Sequence, residues 1–161
     1  MSCGLASAGI RVLAGVDIDP SCRYPFEANI GGKYILADIR NVTGKQLAEL
    51  FPDDGLPRIL VGCAPCQPFS RYSNGKPRDE DKWRLLSEFG RLVEELRPDL
   101  VSMENVPQLE HRGGDVFRSF VSSLKRNGYG VDSTVVDCTQ VGVPQRRDRL
   151  VLIARLGSNI K

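Results

Sequence analysis

The sequence predicts a doubly wound α/β fold, and three observations carry that expectation. Short β-rich runs alternate with helical stretches along the chain, the order of a parallel sheet covered by helices. The strand-like runs end in polar residues, as they do where a sheet's C-terminal edge faces a ligand crevice. The 161 residues, 41% hydrophobic and 26% charged, suit an ordinary soluble globular unit with a core of its own.

Each element has a local reason. Ser2 to Gly9 reads as a helix that nothing precedes, although a doubly wound sheet normally opens with a strand and a glycine-rich turn. Arg11 to Val16 reads as a strand ending at Asp17, and Pro20 opens a helix reaching Asn29. Tyr34 to Leu36 is a short strand ending at Asp38, and Thr43 caps a helix running to Leu50. Arg58 to Gly62 is a compact apolar strand, followed from Gln67 to Asp81 by a loop with little to bury.

The most regular helix follows. Leu85, Leu86, Phe89, Leu92, Val93 and Leu96 recur at helical spacing, and Pro98 ends the run. Asp99 to Met103 is a further strand. Asp115 to Arg126 is a helix stopped by Asn127 and Gly128, and Val131 to Val136 and Arg149 to Ala154 are two more strands. With no linker and no repeat, residues 1–157 are expected to form one domain, with 158–161 as a short tail.

Composition narrows the function classes. The formal charge is only +2, so a nucleic-acid partner has to be argued from local patches. The apolar start from Cys3 to Val16 has no basic stretch before it and is interrupted by Arg11, unlike a signal peptide. No apolar run reaches bilayer-spanning length. A cytoplasmic, reducing setting is expected, nucleoid-associated if the source is bacterial. The five cysteines are an odd number without a disulfide framework, so free thiols are expected.

The polar residues at the strand ends are Asp17, Asp19, Asp38, Cys66, and Glu104 with Asn105. A carboxylate at Asp17 suits ribose hydroxyls and one at Asp38 an adenine edge; both residue types also cap strands and helices without any ligand. Cys66 leaves a buried strand for an open loop, where a thiolate can act as a nucleophile. Cys63, inside the apolar run, reads as a small core residue. Cys63 and Cys66 also form a Cys-x-x-Cys pair, which keeps thiol–disulfide exchange open, although no helix follows it at once. No metal is expected, because Cys138 and His111 stand alone. Glu104 adds a proton donor on the neighbouring strand end. In the run from Gln145 to Arg149, extended alternation would point Gln145, Arg147 and Arg149 the same way; otherwise the run is a solvated charged face.

Three stretches together resemble the cytosine-C5 DNA methyltransferases. They are Ala64-Pro65-Cys66-Gln67-Pro68-Phe69-Ser70, then Met103-Glu104-Asn105-Val106, then Gln145-Arg146-Arg147-Asp148-Arg149, in the family's order and over essentially the whole chain. The resemblance implies a Rossmann-like sheet that is S-adenosylmethionine-dependent, with the first strand missing. It implies Cys66 as the nucleophile attacking C6 of a flipped cytosine in DNA. Glu104 would assist at N3, Asn105 would hold the turn, and Arg147 and Arg149 would orient the base and the cysteine loop. Asp17, Ile18, Asp38, Ile39, Pro65 and Leu85 match cofactor-binding positions. Gln67, Ser70, Arg71, Lys76 and Arg78 match a mobile loop that closes over DNA.

The family's opening glycine loop and its target-recognition region have no counterpart here. The chain is therefore expected to be a fragment, a misassigned start, or one half of a split enzyme that a second polypeptide completes, with weak or no methyl transfer alone. A non-catalytic subunit keeping the fold is the alternative, and cytosine methylation in transfer RNA a more distant one.

Overall fold

A computed structural model describes residues 1–65, 80–112 and 114–157. The chain forms two compact units, Met1–Asp54 and Gly55–Lys161.

The first unit is built on a two-stranded parallel sheet, β1 (Ala14–Asp17) and β2 (Lys33–Leu36), with Ala14 facing Lys33 and Asp17 facing Leu36. Helix α1 (Ser2–Ser7) precedes it, and α2 (Arg23–Ile30) forms the crossover. Pro20 opens a turn of 3₁₀-helix over Pro20–Cys22 and only then does α2 begin, three residues later than the sequence suggests. Gly31 ends α2 at φ 73°, a left-handed conformation that glycine adopts without a Cβ clash. Helix α3 (Gly44–Ala48) starts at Thr43 as expected. The Thr43 hydroxyl accepts from the Gln46 backbone amide and the Gln46 side-chain Oε1 accepts from the Thr43 backbone amide, a reciprocal cap. Tyr34 is buried and tilts against Phe26 at 5.9 Å, and its hydroxyl donates to the Asp19 carbonyl.

The second unit carries a four-stranded sheet in the order β3 (Ile59–Gly62), β4 (Leu100–Asn105), β6 (Asp148–Leu156), β5 (Tyr129–Asp137). Strands β3 and β4 are parallel, but β6 runs antiparallel to both neighbours, so this sheet is mixed rather than wholly parallel. The cause is the connection: β5 and β6 are joined by a short turn-rich segment, too short for the crossover a parallel pair needs. Helix α4 (Glu80–Leu96) takes in Glu80 and Asp81, which the sequence reading left in the loop. A short helix α5 (Gln108–Arg112), not foreseen, precedes α6 (Gly114–Arg126).

One apolar layer holds this unit together. Leu86, Phe89, Leu92, Val93 and Leu96 of α4 are all buried, as their spacing predicts. So are Phe117, Phe120 and Leu124 of α6, and Val101, Met103, Leu150, Leu152 and Ala154 of the sheet. Each large side chain in this set contributes about 1.5–3 kcal/mol by leaving water. Gly62 sits under the Phe89 ring so closely that a Cβ there would lie 2.6 Å from it. The sheet alternates, and Ile153 and Val135 are exposed.

Candidate active site

Because β3 and β4 run in parallel with Gly62 opposite Met103, the residues just beyond emerge side by side. They are Cys63, Ala64 and Pro65 after β3, and Glu104 and Asn105 at the end of β4. Two consecutive residues on one strand clasp two on the other. The Cys63 thiol donates to Glu104 Oε2 at 2.9 Å, and Asn105 Nδ2 donates to the Ala64 carbonyl at 3.0 Å. Asn105 is 3% exposed, and its Oδ1 takes the Val106 amide at 2.9 Å, so both ends of a buried amide are used.

The other carboxylate oxygen of Glu104 belongs to Arg149, whose Nε lies 2.6 Å from Oε1. Val151 is the cross-strand partner of Glu104, and Arg149 lies two residues before it, hence on the same face of the sheet. Arg149 Nη1 also donates to the Asp148 carbonyl at 2.8 Å. The Glu104 carboxylate is thus gripped at both oxygens, by a thiol and by a guanidinium. Such a carboxylate is fixed in orientation, a starting point for proton exchange with whatever it faces.

Alternation does not carry back beyond Asp148. Gln145 lies in a bend with its amide donating to the Val143 carbonyl at 2.7 Å, and Arg147 precedes the strand, exposed, its carbonyl accepting from the Cys138 amide at 2.9 Å. The bend at Pro144 and Gln145 keeps the extended course from starting before Asp148. Cys63 likewise is not a core residue: it is exposed, because the apolar strand ends at Gly62. The apolar run gave no sign of this, because nothing local marks where the strand ends.

In the first unit, Asp17 ends β1 and Ile18 follows it, 66% exposed. Asp17 Oδ1 accepts from the Asp19 amide at 3.0 Å, which turns the chain and leaves the carboxylate at the surface. Asp38 follows β2 and caps the 3₁₀ turn Ile39–Asn41, with Ile39 half-buried at its start. Arg40 engages Asp38 through its amide at 2.9 Å, Nε at 3.0 Å and Nη2 at 2.5 Å. The side-chain and backbone hydrogen bonds of Arg40 hold the Asp38 carboxyl down at about 2. The two acids stand at the C-terminal ends of adjacent parallel strands, the side of such sheets where ligands gather. The Asp17 carboxylate is exposed and that of Asp38 half-buried against Arg40, and carboxylates can accept from hydroxyl and amino donors.

Leu85 lies on α4, half-buried beside the buried Leu86, and Pro65 is exposed. Cys66, Gln67, Ser70, Arg71, Lys76 and Arg78 lie outside the described residues. Among the described residues, no helix is long and apolar enough to cross a membrane, and no three His, Cys, Asp or Glu side chains gather as a metal site.

Comparison with known proteins gives a consistent result. The family model for C-5 cytosine-specific DNA methylases matches residues 1–161. The type II methylase M.HgiDII of Herpetosiphon aurantiacus is 48% identical over 159 residues, covering 98% of this chain and 44% of that protein. The type II methyltransferase M.MspI of Moraxella sp is 29% identical, over 94% of this chain and 35% of that one. The chain therefore spans less than half the length of these curated relatives. Among solved structures, a prophage-encoded protein of E. coli, described as a DNA modification methyltransferase, superimposes with a TM-score of 0.81 at 25% identity, over 96% of this chain and 43% of that one. A DNMT2 structure from Spodoptera frugiperda superimposes at 0.75 with 23% identity, over 97% and 46% respectively, a likeness of fold. The fold is that of the Rossmann-like methyltransferases, and the chain belongs to the C-5 cytosine-specific DNA methylase family.

Proposed function

We propose that this chain carries the chemical centre of an enzyme that transfers a methyl group to C5 of cytosine in DNA. The observation that carries the reading is the Glu104 carboxylate, held by Cys63 and Arg149 at the strand end beside the segment that leads into Cys66. In this reading the Cys66 thiolate adds to C6 of a cytosine turned out of the duplex, while Glu104 shares a proton with N3. Addition at C6 makes C5 nucleophilic. S-adenosylmethionine supplies the electrophilic methyl group when bound. Loss of the C5 proton and departure of the thiolate restore the C5–C6 double bond and free the enzyme.

The remaining assignments follow the same logic. Arg149 orients Glu104 and, with Arg147, faces the base and the cysteine segment; Asn105 fixes that segment through the Ala64 carbonyl. Within the first unit, Asp17 takes the cofactor's ribose hydroxyls, Ile18 and Ile39 its adenine face, and Asp38 the adenine amino group; in the second unit, Pro65 and Leu85 are the cofactor-binding candidates. Gln67, Ser70, Arg71, Lys76 and Arg78 meet the DNA backbone, where guanidinium and ammonium groups pair with phosphates. The likeness to type II methylases supports a restriction–modification setting for such an enzyme, and a cytoplasmic site of action belongs to the same reading.

We take residues 1–157 as the catalytic part; residues 158–161, expected as a tail, lie outside the described residues. Since the relatives are more than twice as long, further polypeptide, in one chain or a second, would supply target selection and part of the cofactor grip. This part alone is then expected to transfer methyl groups weakly or not at all. The test is transfer of labelled methyl groups to duplex DNA by the chain alone and within its natural polypeptide, alongside calorimetric titration with S-adenosylmethionine. Transfer to cytosine C5 that Cys66→Ser abolishes supports the reading. Absence of both cofactor binding and transfer in the natural polypeptide overturns it.

A further inference from the structure

The clasp between the two strand ends contains one group with no part in the chemistry above, the Cys63 thiol. Its sulfur lies 2.9 Å from Glu104 Oε2, whereas Arg149 Nε addresses Oε1. Arg149 alone leaves the carboxylate free to swing about its terminal bond, because a single ion pair fixes one oxygen and not the plane. The second donor closes that freedom. Cys63 is also covalently three residues from Cys66, and Ala64 between them is bonded to Asn105, the neighbour of Glu104. A shift of the cysteine-bearing segment is therefore passed to the carboxylate through a bond as well as through the backbone.

We propose that Cys63 is a positioning residue for the methyl-transfer reaction: its thiol donates to Glu104 and sets the carboxylate's orientation relative to the segment carrying Cys66. The inference rests on the methyl-transfer reading and deepens it. A thiol suits the place because it is a donor that stays neutral. A lysine there would bring a second full charge beside Arg149, and an alanine would leave Oε2 without this partner. The sequence hides the role, since a small residue after an apolar strand looks like core.

Two measurements test it and fail separately. The first needs no activity: alkylation of the folded chain by iodoacetamide, resolved to Cys63 by tandem mass spectrometry. The neighbouring carboxylate disfavours the reactive thiolate, so Glu104→Gln is expected to speed alkylation of Cys63 about tenfold. Equal rates in the wild type and Glu104→Gln overturn the proposal. The second is steady-state methyl transfer in the natural polypeptide. Cys63→Ala is expected to lower kcat about tenfold, the scale of one hydrogen bond to a charged group, with KM for DNA unchanged. Cys63→Ser, which restores a donor, is expected to recover most of that loss. Full activity in Cys63→Ala, or no recovery in Cys63→Ser, overturns the proposal while leaving methyl transfer itself standing. A wild type that neither binds cofactor nor transfers methyl groups removes the reading beneath it, even where the alkylation contrast persists.

Discussion

Asn105 donates from Nδ2 to the carbonyl of Ala64 at 3.0 Å, joining the end of β4 to the residues that follow β3. Asn105 is buried and the bond part-buried, and Asn105 Oδ1 holds the Val106 amide as well. Replacing Asn105 with alanine strands an acceptor and a donor at once. A loss of about 1–3 kcal/mol is expected for such groups, measured as a lower midpoint in denaturant unfolding. A midpoint equal to the wild type would mean that water replaces the side chain without cost.

The pairing of Arg149 with Glu104 gives a second expectation. Arg149→Lys keeps the charge and loses the planar donor set that addresses Oε1 while reaching the Asp148 carbonyl. Methyl transfer by the natural polypeptide is expected to fall about tenfold or more. Glu104→Gln removes the proton-exchanging group itself, and a loss of about 100-fold or more is expected. The order of the two effects is the check. A Glu104→Gln variant as active as the wild type would remove Glu104 from the chemistry.

Gly62 is a packing requirement rather than a turn. A Cβ added there would meet the Phe89 ring at 2.6 Å, and Phe89 is buried, tilted against Phe120 at 5.8 Å. Gly62→Ala is expected to cost about 1–3 kcal/mol, the range for overpacked cores. Thermal unfolding followed by circular dichroism would show it. Because Cys63 is the next residue, faster alkylation of Cys63 should accompany the loss of stability.

Asp38 gives the pH dependence. Hydrogen bonds from the Arg40 side chain and backbone lower its carboxyl from 3.8 to about 2. A carboxyl depressed in the folded state binds its proton more weakly there than in the unfolded chain. Its contribution to stability is therefore complete above about pH 4 and is lost as the pH falls toward 2. Arg40→Ala should return the Asp38 titration, followed by NMR of the carboxyl carbon, toward the ordinary value and remove that part of the acid dependence. An unchanged titration would show that the turn at Arg40, and not its guanidinium, does the lowering.

The sequence made most elements legible where a local rule governs them. Helix α4 follows from the spacing of its apolar residues, and the α3 start from Thr43 and Gln46, whose bonds are made within four residues. Short elements were less legible. The start at Pro20 is a 3₁₀ turn before it is a helix, with Asp19 accepting from the Ser21 amide, and α5 carries no periodicity long enough to detect.

At the site, the sequence by itself determined which chemical groups are present and their order: Cys66, Glu104, Asn105 and the arginines. Only the tertiary structure decided who touches whom. The antiparallel course of β6 follows from a short connection, and it sets Arg149 on the same face of the sheet as Glu104. The parallel register of β3 and β4 puts Cys63 within 2.9 Å of a carboxylate 41 residues away, and so turns an apparent core residue into part of the site. The physical reason is one of range. Periodicity, capping and turn chemistry act over a few residues, whereas hydrogen bonds between strand ends depend on a register that the whole sheet sets.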